Sequence, residues 1–287
     1  MAISKKAIQR RIKSVRNTRK ITKAMELVAA AKMRRAATAV VKTRPYAQLS
    51  WETIRAVAAA TGEAIRHPLL ERKEGATRTL LVLFSSDRGL AGGYNVNMLK
   101  TALAALKQLP AGSVDVVAIG KRGGDALARA GYPVIASFPG LAESPQFKDI
   151  IPIGRMIIER FTAGEYKTVL LGYTDYVSGI TQRPNMTTLL PMTVDGAHDV
   201  GREFTFEPSP QKVLDRALPG LIETMVFQAL LEAAASEHAA RMMAMRNASD
   251  SATEMLEDLT FTYNQARQAA ITQEIAEISS GKAALEK

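Results

Sequence analysis

Apolar and small residues recur through the last eighty positions with a spacing that alternates three and four. The run is Leu214, Ala217, Leu221, Thr224, Gln228, Leu231, Ala235, His238, Met242, Met245, Ser249, Ala252, Leu256, Leu259, Tyr263, Ala266 and Ala270. Such spacing keeps one face of a helix turned toward a partner helix. At 1.5 Å per residue the run is roughly 84 Å long if helical throughout, beyond the reach of a compact domain. Neither glycine nor proline interrupts it between Gly220 and Gly281. The pattern predicts a rod, and Pro219-Gly220 leaves its start either kinked or broken.

The N-terminus offers a partner. Ser4 is placed as an N-cap, and no proline or glycine follows until Pro45. Ile8, Ile12, Val15, Thr22, Met25, Ala29, Met33 and Val40 form a sparser stripe of similar spacing. A second helical stretch, Gln48 to about Ile65, continues past an expected kink at Pro45. The stripe is narrow and alanine-rich, so two helices can approach closely. Two terminal helices around a middle domain predict an antiparallel coiled coil. A helical bundle would need further long amphipathic helices, which the middle does not provide.

The middle alternates short apolar runs with helical patterns. Strands are expected at Thr79–Ser85, Asp115–Ile119, Pro133–Phe138 and Thr168–Gly172, with an edge strand at Met186–Met192. Helices are expected at Asn95–Leu109, from Lys121 to about Ala130, and at Ile150–Phe161. Strands alternating with helices argue for a small, mostly parallel α/β sheet of Rossmann-like type. The expected division is 1–65 for the first coiled-coil helix, 77–195 for the α/β domain and 208–287 for the second helix. Residues 62–76 and 194–210 read as junctions.

Charge changes this picture. Residues 1–44 hold seven lysines and seven arginines against Glu26 alone, a local balance of +13, whereas residues 208–287 carry −4. Opposite signs favour pairing of the two helices, although exposed pairs contribute only about 0–1 kcal/mol each. The surplus implies an acidic external partner: nucleic acid, an anionic membrane surface or the acidic wall of another protein. Cysteine is absent, which excludes disulfides and thiolate metal sites. No run of about 18 apolar residues exists, so no bilayer span is expected. The Arg-rich, acid-poor N-terminus has the composition of a transit peptide, yet the stripe runs through it without a cleavage-like break. It therefore reads as mature structure, in a bacterial cytoplasmic chain.

Glycine loops after strands invite a nucleotide-binding reading. The dinucleotide fingerprint needs G-x-G-x-x-G so that backbone amides can approach a pyrophosphate. No two glycines here are separated by a single residue, and Gly120-Lys121 is followed by Arg122 where a phosphate loop has Ser or Thr. The loops at Gly89 and Gly120 read as turns. His67, His198 and His238 are scattered, and no nucleophile-elbow serine occurs. Asp87-Arg88 reads as a salt bridge or docking contact, and His238 as a packed histidine on the stripe. No catalytic residue, cofactor or metal site is expected.

Four segments resemble a known family. They are Lys20–Ala30 (KITKAMELVAA), Ser86–Gly93 (SDRGLAGG), Glu237–Met242 (EHAARM) and Ala266–Glu274 (ARQAAITQE). In this order they are similar to the signature regions of the gamma subunit of F-type ATP synthase, and the resemblance spans the chain. The family's usual cysteine in the glycine loop is Ala91 here, and there is no room for the cysteine-bearing insertion of chloroplast members.

The resemblance implies a central rotor shaft. Its terminal helices would form a coiled coil inside a ring of three alpha and three beta subunits. The α/β domain would sit with epsilon on the membrane c ring. Rotation driven by proton or sodium flow would cycle the beta subunits for ATP synthesis or hydrolysis. It also implies a peripheral position at the cytoplasmic face of the bacterial plasma membrane, with no nucleic acid and no direct small-molecule ligand. Arg267, Gln268 and Thr272 would contact a loop of beta near the tip. Met25, and Arg241 with it, would stand where an acidic lever of beta meets the shaft, and the loop of Arg88, Gly89 and Ala91 would touch that lever. Tyr46, Glu203, Phe206 and Glu207 would form the foot toward the c ring and epsilon. Two alternatives remain at this point. A nucleic-acid-binding coiled coil is motivated by the basic helix but poorly served by a single tryptophan. A nucleotide-dependent enzyme is disfavoured by the missing glycine fingerprints.

Overall fold

The computed structural model describes residues 5–61, 67–71, 73–192, 207 and 209–285. Helix α1 spans Lys5–Thr61 and helix α5 spans Pro210–Leu285. Between them lie β1 (Thr79–Phe84), α2 (Tyr94–Leu106), β2 (Val114–Ile119) and α3 (Lys121–Arg129). They are followed by β3 (Val134–Phe138), α4 (Phe147–Thr162), β4 (Thr168–Tyr176) and β5 (Gln182–Leu190). The residues group into two compact units, Met1–Val28 with Met242–Lys287, and Ala29–Arg241.

The two prolines inside the long helices, past their first residues, are carried without a break in helical structure. Pro45 lies inside α1 and Pro219 inside α5. A proline removes one hydrogen bond to the carbonyl four residues earlier. Val41 and Asp215, which own those carbonyls, are both exposed, so water can take the place of the missing donor. Ser4, the expected N-cap, lies outside the described residues.

In the first unit the stripe is narrow, as its spacing requires. α1 buries Ile8 and Thr22, and α5 buries Met245, Ser249 and Ala252 while the positions between them face outward. The second unit departs from this pattern. Residues 231–239 of α5 are buried on every side, not along one face. Small side chains make this possible: Ala233, Ala234, Ala235, Ser236 and Ala239 let neighbouring elements approach the helix from several directions. One segment of α5 bears on the expectation that nothing spans a bilayer. Within Gln211–Lys282 an 18-residue window reaches a mean hydropathy of 1.3, enough by length and composition to cross a membrane. Some 56% of that window is buried by the chain's own packing, which marks it as a core helix.

The sheet has the order β3-β2-β1-β4-β5. The first four strands are parallel, and β5 pairs antiparallel with β4 at the edge. β1 and β2 are buried along their whole length, as expected of central parallel strands covered on both faces. Leu80, Val82 and Phe84 point to a core shared with Ile153, Ile157 and Phe161 of α4 and Leu218, Ile222 and Val226 of α5. Leu81 and Leu83 point the other way, to Met98, Ala102 and Leu106 of α2 and Leu127 of α3. Buried Asp115 at the start of β2 is satisfied by the Arg78 guanidinium and by the Tyr166 hydroxyl, which donates at 2.9 Å.

Candidate functional site

Three groups of polar residues stand out in the second unit, and each ties separate elements together. The first centres on Glu232, which is 4% exposed in the middle of the apolar α5 segment. A carboxylate so placed is costly unless it is paired and hydrogen-bonded. Arg44 of α1 donates through Nε to Oε1 at 3.0 Å and through Nη2 to Oε1 at 2.7 Å and Oε2 at 2.9 Å. The Tyr176 amide at the end of β4 donates to Oε2 at 2.9 Å, and Gln228 Nε2 to Oε1 at 3.0 Å. Arg44 Nη2 also donates to the Tyr176 carbonyl at 3.1 Å, and Thr43 Oγ1 to Gln228 Oε1 at 2.6 Å. Nearby, Ser236 Oγ donates to the Thr174 carbonyl at 3.0 Å. One carboxylate thus joins α1, β4 and α5. Following α1 back from Thr43 to Val40, its α5 partners advance from Gln228 to Leu231 and Ala235, so the two helices run antiparallel here.

The second group is the loop after β1. Asp87 accepts the Lys121 amide at 3.2 Å and the Gly140 amide at 2.8 Å. Its carboxylate therefore sits at the N-terminus of α3, where the helix dipole and free amides favour an anion. In phosphate-binding folds that position takes a phosphate; here the chain supplies its own anion. The glycines around it serve packing. A Cβ on Gly120 (φ 95°) would stand 2.0 Å from the Ser85 carbonyl oxygen, and one on Gly123 would stand 2.7 Å from Ser85 Oγ. Ser85 Oγ accepts the Gly123 amide at 2.9 Å, so close approach of α3 to β1 explains both glycines. Asp87 and Arg88 turn to different partners, Arg88 to Glu143 at 3.4 Å.

The third group joins that loop to α5. Arg241 donates to Glu237 Oε1 at 2.8 Å and to the carbonyls of Arg88 at 3.3 Å and Gly89 at 3.4 Å. Burial pushes the Glu237 carboxyl above the ordinary carboxylate range, with Arg241 opposing the shift. The Tyr94 hydroxyl is fully buried and held far above its usual pKa by desolvation and then by Glu237. His238 is pushed down to about 4 by burial and by the cations Arg241, Lys32 and Arg35, against a hydrogen bond with the Ala142 backbone. It is a neutral, packed side chain.

The residues expected to meet partners are distributed as follows. Arg88 is exposed, Gly89 is half-exposed, and Arg241 is half-buried beneath their loop. Ala91 is 2% exposed, so it shapes the loop from below. Leu90 is the loop's outward residue, exposed and in a left-handed conformation at φ 62°. In the first unit Met25 is half-buried on α1, and Arg267, Gln268 and Thr272 are exposed on α5. A groove of about 690 Å³ in that unit is lined by Lys6, Arg10, Lys13 and Arg16, facing Thr260, Tyr263 and Asn264. Tyr46 and Glu207 are exposed, whereas Glu203 and Phe206 lie outside the described residues. The spacing analysis missed the Glu232 group. Its signal was present: a lone carboxylate inside Ala229–Ala235, an otherwise apolar run.

The sequence profile of the family described as ATP synthase matches residues 4–285. The ATP synthase gamma chain of Herpetosiphon aurantiacus is 43% identical over 291 residues, covering 98% of this chain and 99% of that one. The gamma chain of Desulforamulus reducens is 44% identical over 285 residues, covering 99% of each. The chain belongs to the ATP synthase gamma chain family. Solved structures agree at the level of fold. The central stalk and c-ring structure of Tetrahymena thermophila mitochondrial ATP synthase contains a chain with a TM-score of 0.62 and 25% identity, covering 80% of this chain and 99% of that one. A chain in the Euglena gracilis OSCP/F1/c-ring structure gives a TM-score of 0.68 at 19% identity, covering 98% and 94%. A gamma chain is part of the F1 portion of the complex, which is peripheral to the membrane. For such a subunit the three polar groups are fastenings between helix, sheet and loop.

Proposed function

We propose that this chain is the central rotor shaft of an F-type ATP synthase. It couples ion-driven rotation of a membrane c ring to conformational cycling of three catalytic beta subunits. The observation that carries this reading is the gamma-chain match over nearly the whole length, joined to two long helices that flank a mostly parallel sheet. The chain holds no active site of its own in this reading, and Asp87 at the N-terminus of α3 supports that view because it occupies the place a phosphate would need. Its partners are three alpha and three beta subunits, epsilon and the c ring, at the cytoplasmic face of a bacterial plasma membrane.

The working parts follow the proposed division into residues 1–65, 77–195 and 208–287. Met25, Arg88, Gly89 and Arg241 meet the acidic lever of beta, with Ala91 supporting the loop. Arg267, Gln268 and Thr272 meet beta near the tip. Tyr46 and Glu207 belong to the foot, together with Glu203 and Phe206 on the strength of the family resemblance. The basic groove of Lys6, Arg10, Lys13 and Arg16 suits a surface that meets acidic walls without deep apolar adhesion. Contacts that differ between orientations are what allow a shaft to bias the conformations of its neighbours.

Purification of the tagged chain from its host tests the reading. Recovery of alpha and beta with it at about three to three to one, with ATPase activity, is the expected outcome. Recovery of the chain alone or with nucleic acid would overturn it.

A further inference from the structure

The second unit contains a cavity beside the Glu232 fastening, and part of its lining takes no part in that fastening. It lies between α1, β4 and α5, and its volume of about 540 Å³ is that of a small-molecule site. Trp51, Tyr173 and Tyr176 give it three aromatic walls, and Arg44, Glu232 and Asp175 give it charge. Those charges are unequally matched. Arg44 is committed to Glu232 through three hydrogen bonds. Asp175 accepts from neutral groups, Asn185 Nδ2 at 3.0 Å and the Tyr173 hydroxyl. No cation among the described residues stands at ion-pair distance from it. The lining therefore carries one negative charge in excess, Asp175 and Glu232 against Arg44, beside aromatic rings. Burial and the neighbouring Glu232 raise the Asp175 carboxyl above its ordinary range, with the Tyr173 and Asn185 hydrogen bonds and the charge of Arg44 opposing the shift.

We propose that this cavity binds a small organic monocation, a protonated amine on an aromatic or alkyl body, with the ammonium on Asp175 and the body against Trp51 and Tyr173. The chemistry is specific to that class. A carboxylate gives the ammonium a charge-assisted hydrogen bond, and aromatic faces attract cations through their quadrupoles. An anion would face Asp175, and a neutral molecule of the same shape would leave its charge uncompensated. The spacing of residues along the chain did not anticipate this site, because Trp51, Asp175 and Glu232 come together only through the packing of three elements.

Trp51 is the only tryptophan in the chain, so its fluorescence reports on this cavity alone. The full-length chain is titrated with 2-phenylethylamine, 2-phenylethanol and 3-phenylpropionate at pH 7. The amine is expected to give a saturable Trp51 change with a midpoint below about 1 mM. The alcohol is expected to bind about tenfold more weakly, and the acid more weakly still. Asp175→Asn should bring the amine's midpoint to the alcohol's, and Asp175→Glu should restore part of the preference. A flat titration with the amine, or an alcohol that matches it, overturns the proposal. So does an Asp175→Asn chain that retains the preference. If that variant fails to fold, the three-ligand comparison on the unaltered chain decides.

Discussion

Glu232 shows how a single residue can be both a cost and a constraint. Its carboxylate is buried among alanines and leucines, and Arg44 with the Tyr176 amide makes that tolerable. Arg44→Ala would strand a buried charge, and a loss of about 3 kcal/mol in urea unfolding is expected. Combining it with Glu232→Leu should recover part of that loss, because the desolvated carboxylate goes with its partner. His238 carries a different signature. Its folded-state pKa is lowered from 6.5 to about 4, so between those values the unfolded chain binds a proton that the native one does not. Stability from His238 is therefore present above about pH 6.5 and lost as pH falls toward 4, by about 3 kcal/mol in all. Glu237, whose pKa is raised, works in the opposite sense, favouring the native state on the acid side. The difference between the unaltered chain and His238→Gln, unfolded in urea at pH 7 and at pH 4.5, isolates the histidine. The packed role of His238 was legible from its place on the stripe. Glu232 was not, since spacing selects Gln228 and Leu231 and passes over the residue between the seam and the sheet.

At the scale of elements, the periodicities predicted type and order well and boundaries less well. The four parallel strands, the three helices between them and the antiparallel edge strand all stand where apolar runs and helical spacing place them. β4 continues beyond the apolar run to Tyr176, because Tyr173, Thr174 and Asp175 pair with Asn185, Pro184 and Arg183 of β5, a stretch that carries no apolar alternation. β5 likewise starts four residues earlier than its apolar part suggests, at Gln182 instead of Met186. The full burial of α5 over residues 231–239 was hidden in the same way: a stripe describes one partner, and here the helix meets several. The glycines of α3 carry an element-level prediction. Gly123→Ala would drive a methyl group to within 2.9 Å of Leu83 Cδ2 as well as into Ser85. α3 would have to lift from β1, and a loss of about 2 kcal/mol in thermal or urea unfolding is expected. Gly131→Ala, which meets no neighbour, is the spatial control, although its φ of 89° strains any substitute.

For the whole molecule the relevant quantity is how motion in one part becomes work in another. Met25 lies half-buried on α1, among the first 44 residues with their balance of +13. Met25→Lys adds a further cation where the proposed lever of beta meets the shaft. Assembly of the complex should survive while ATP-driven proton pumping falls relative to ATP hydrolysis; unchanged pumping would refute that placement. The three fastenings in the second unit have their own mechanical consequence. Two helices joined only by an apolar seam can slide by one ridge of side chains, or roll, at little cost. Glu232 forbids both. Its oxygens are held from α1 by Arg44, from β4 by the Tyr176 amide and from α5 itself by Gln228, so bonds arrive along different directions. Twisting α5 against β4, or drawing it along α1, would break several charge-assisted bonds at once. The carboxylate acts as a spline, and torque applied to the sheet reaches the helix without slip.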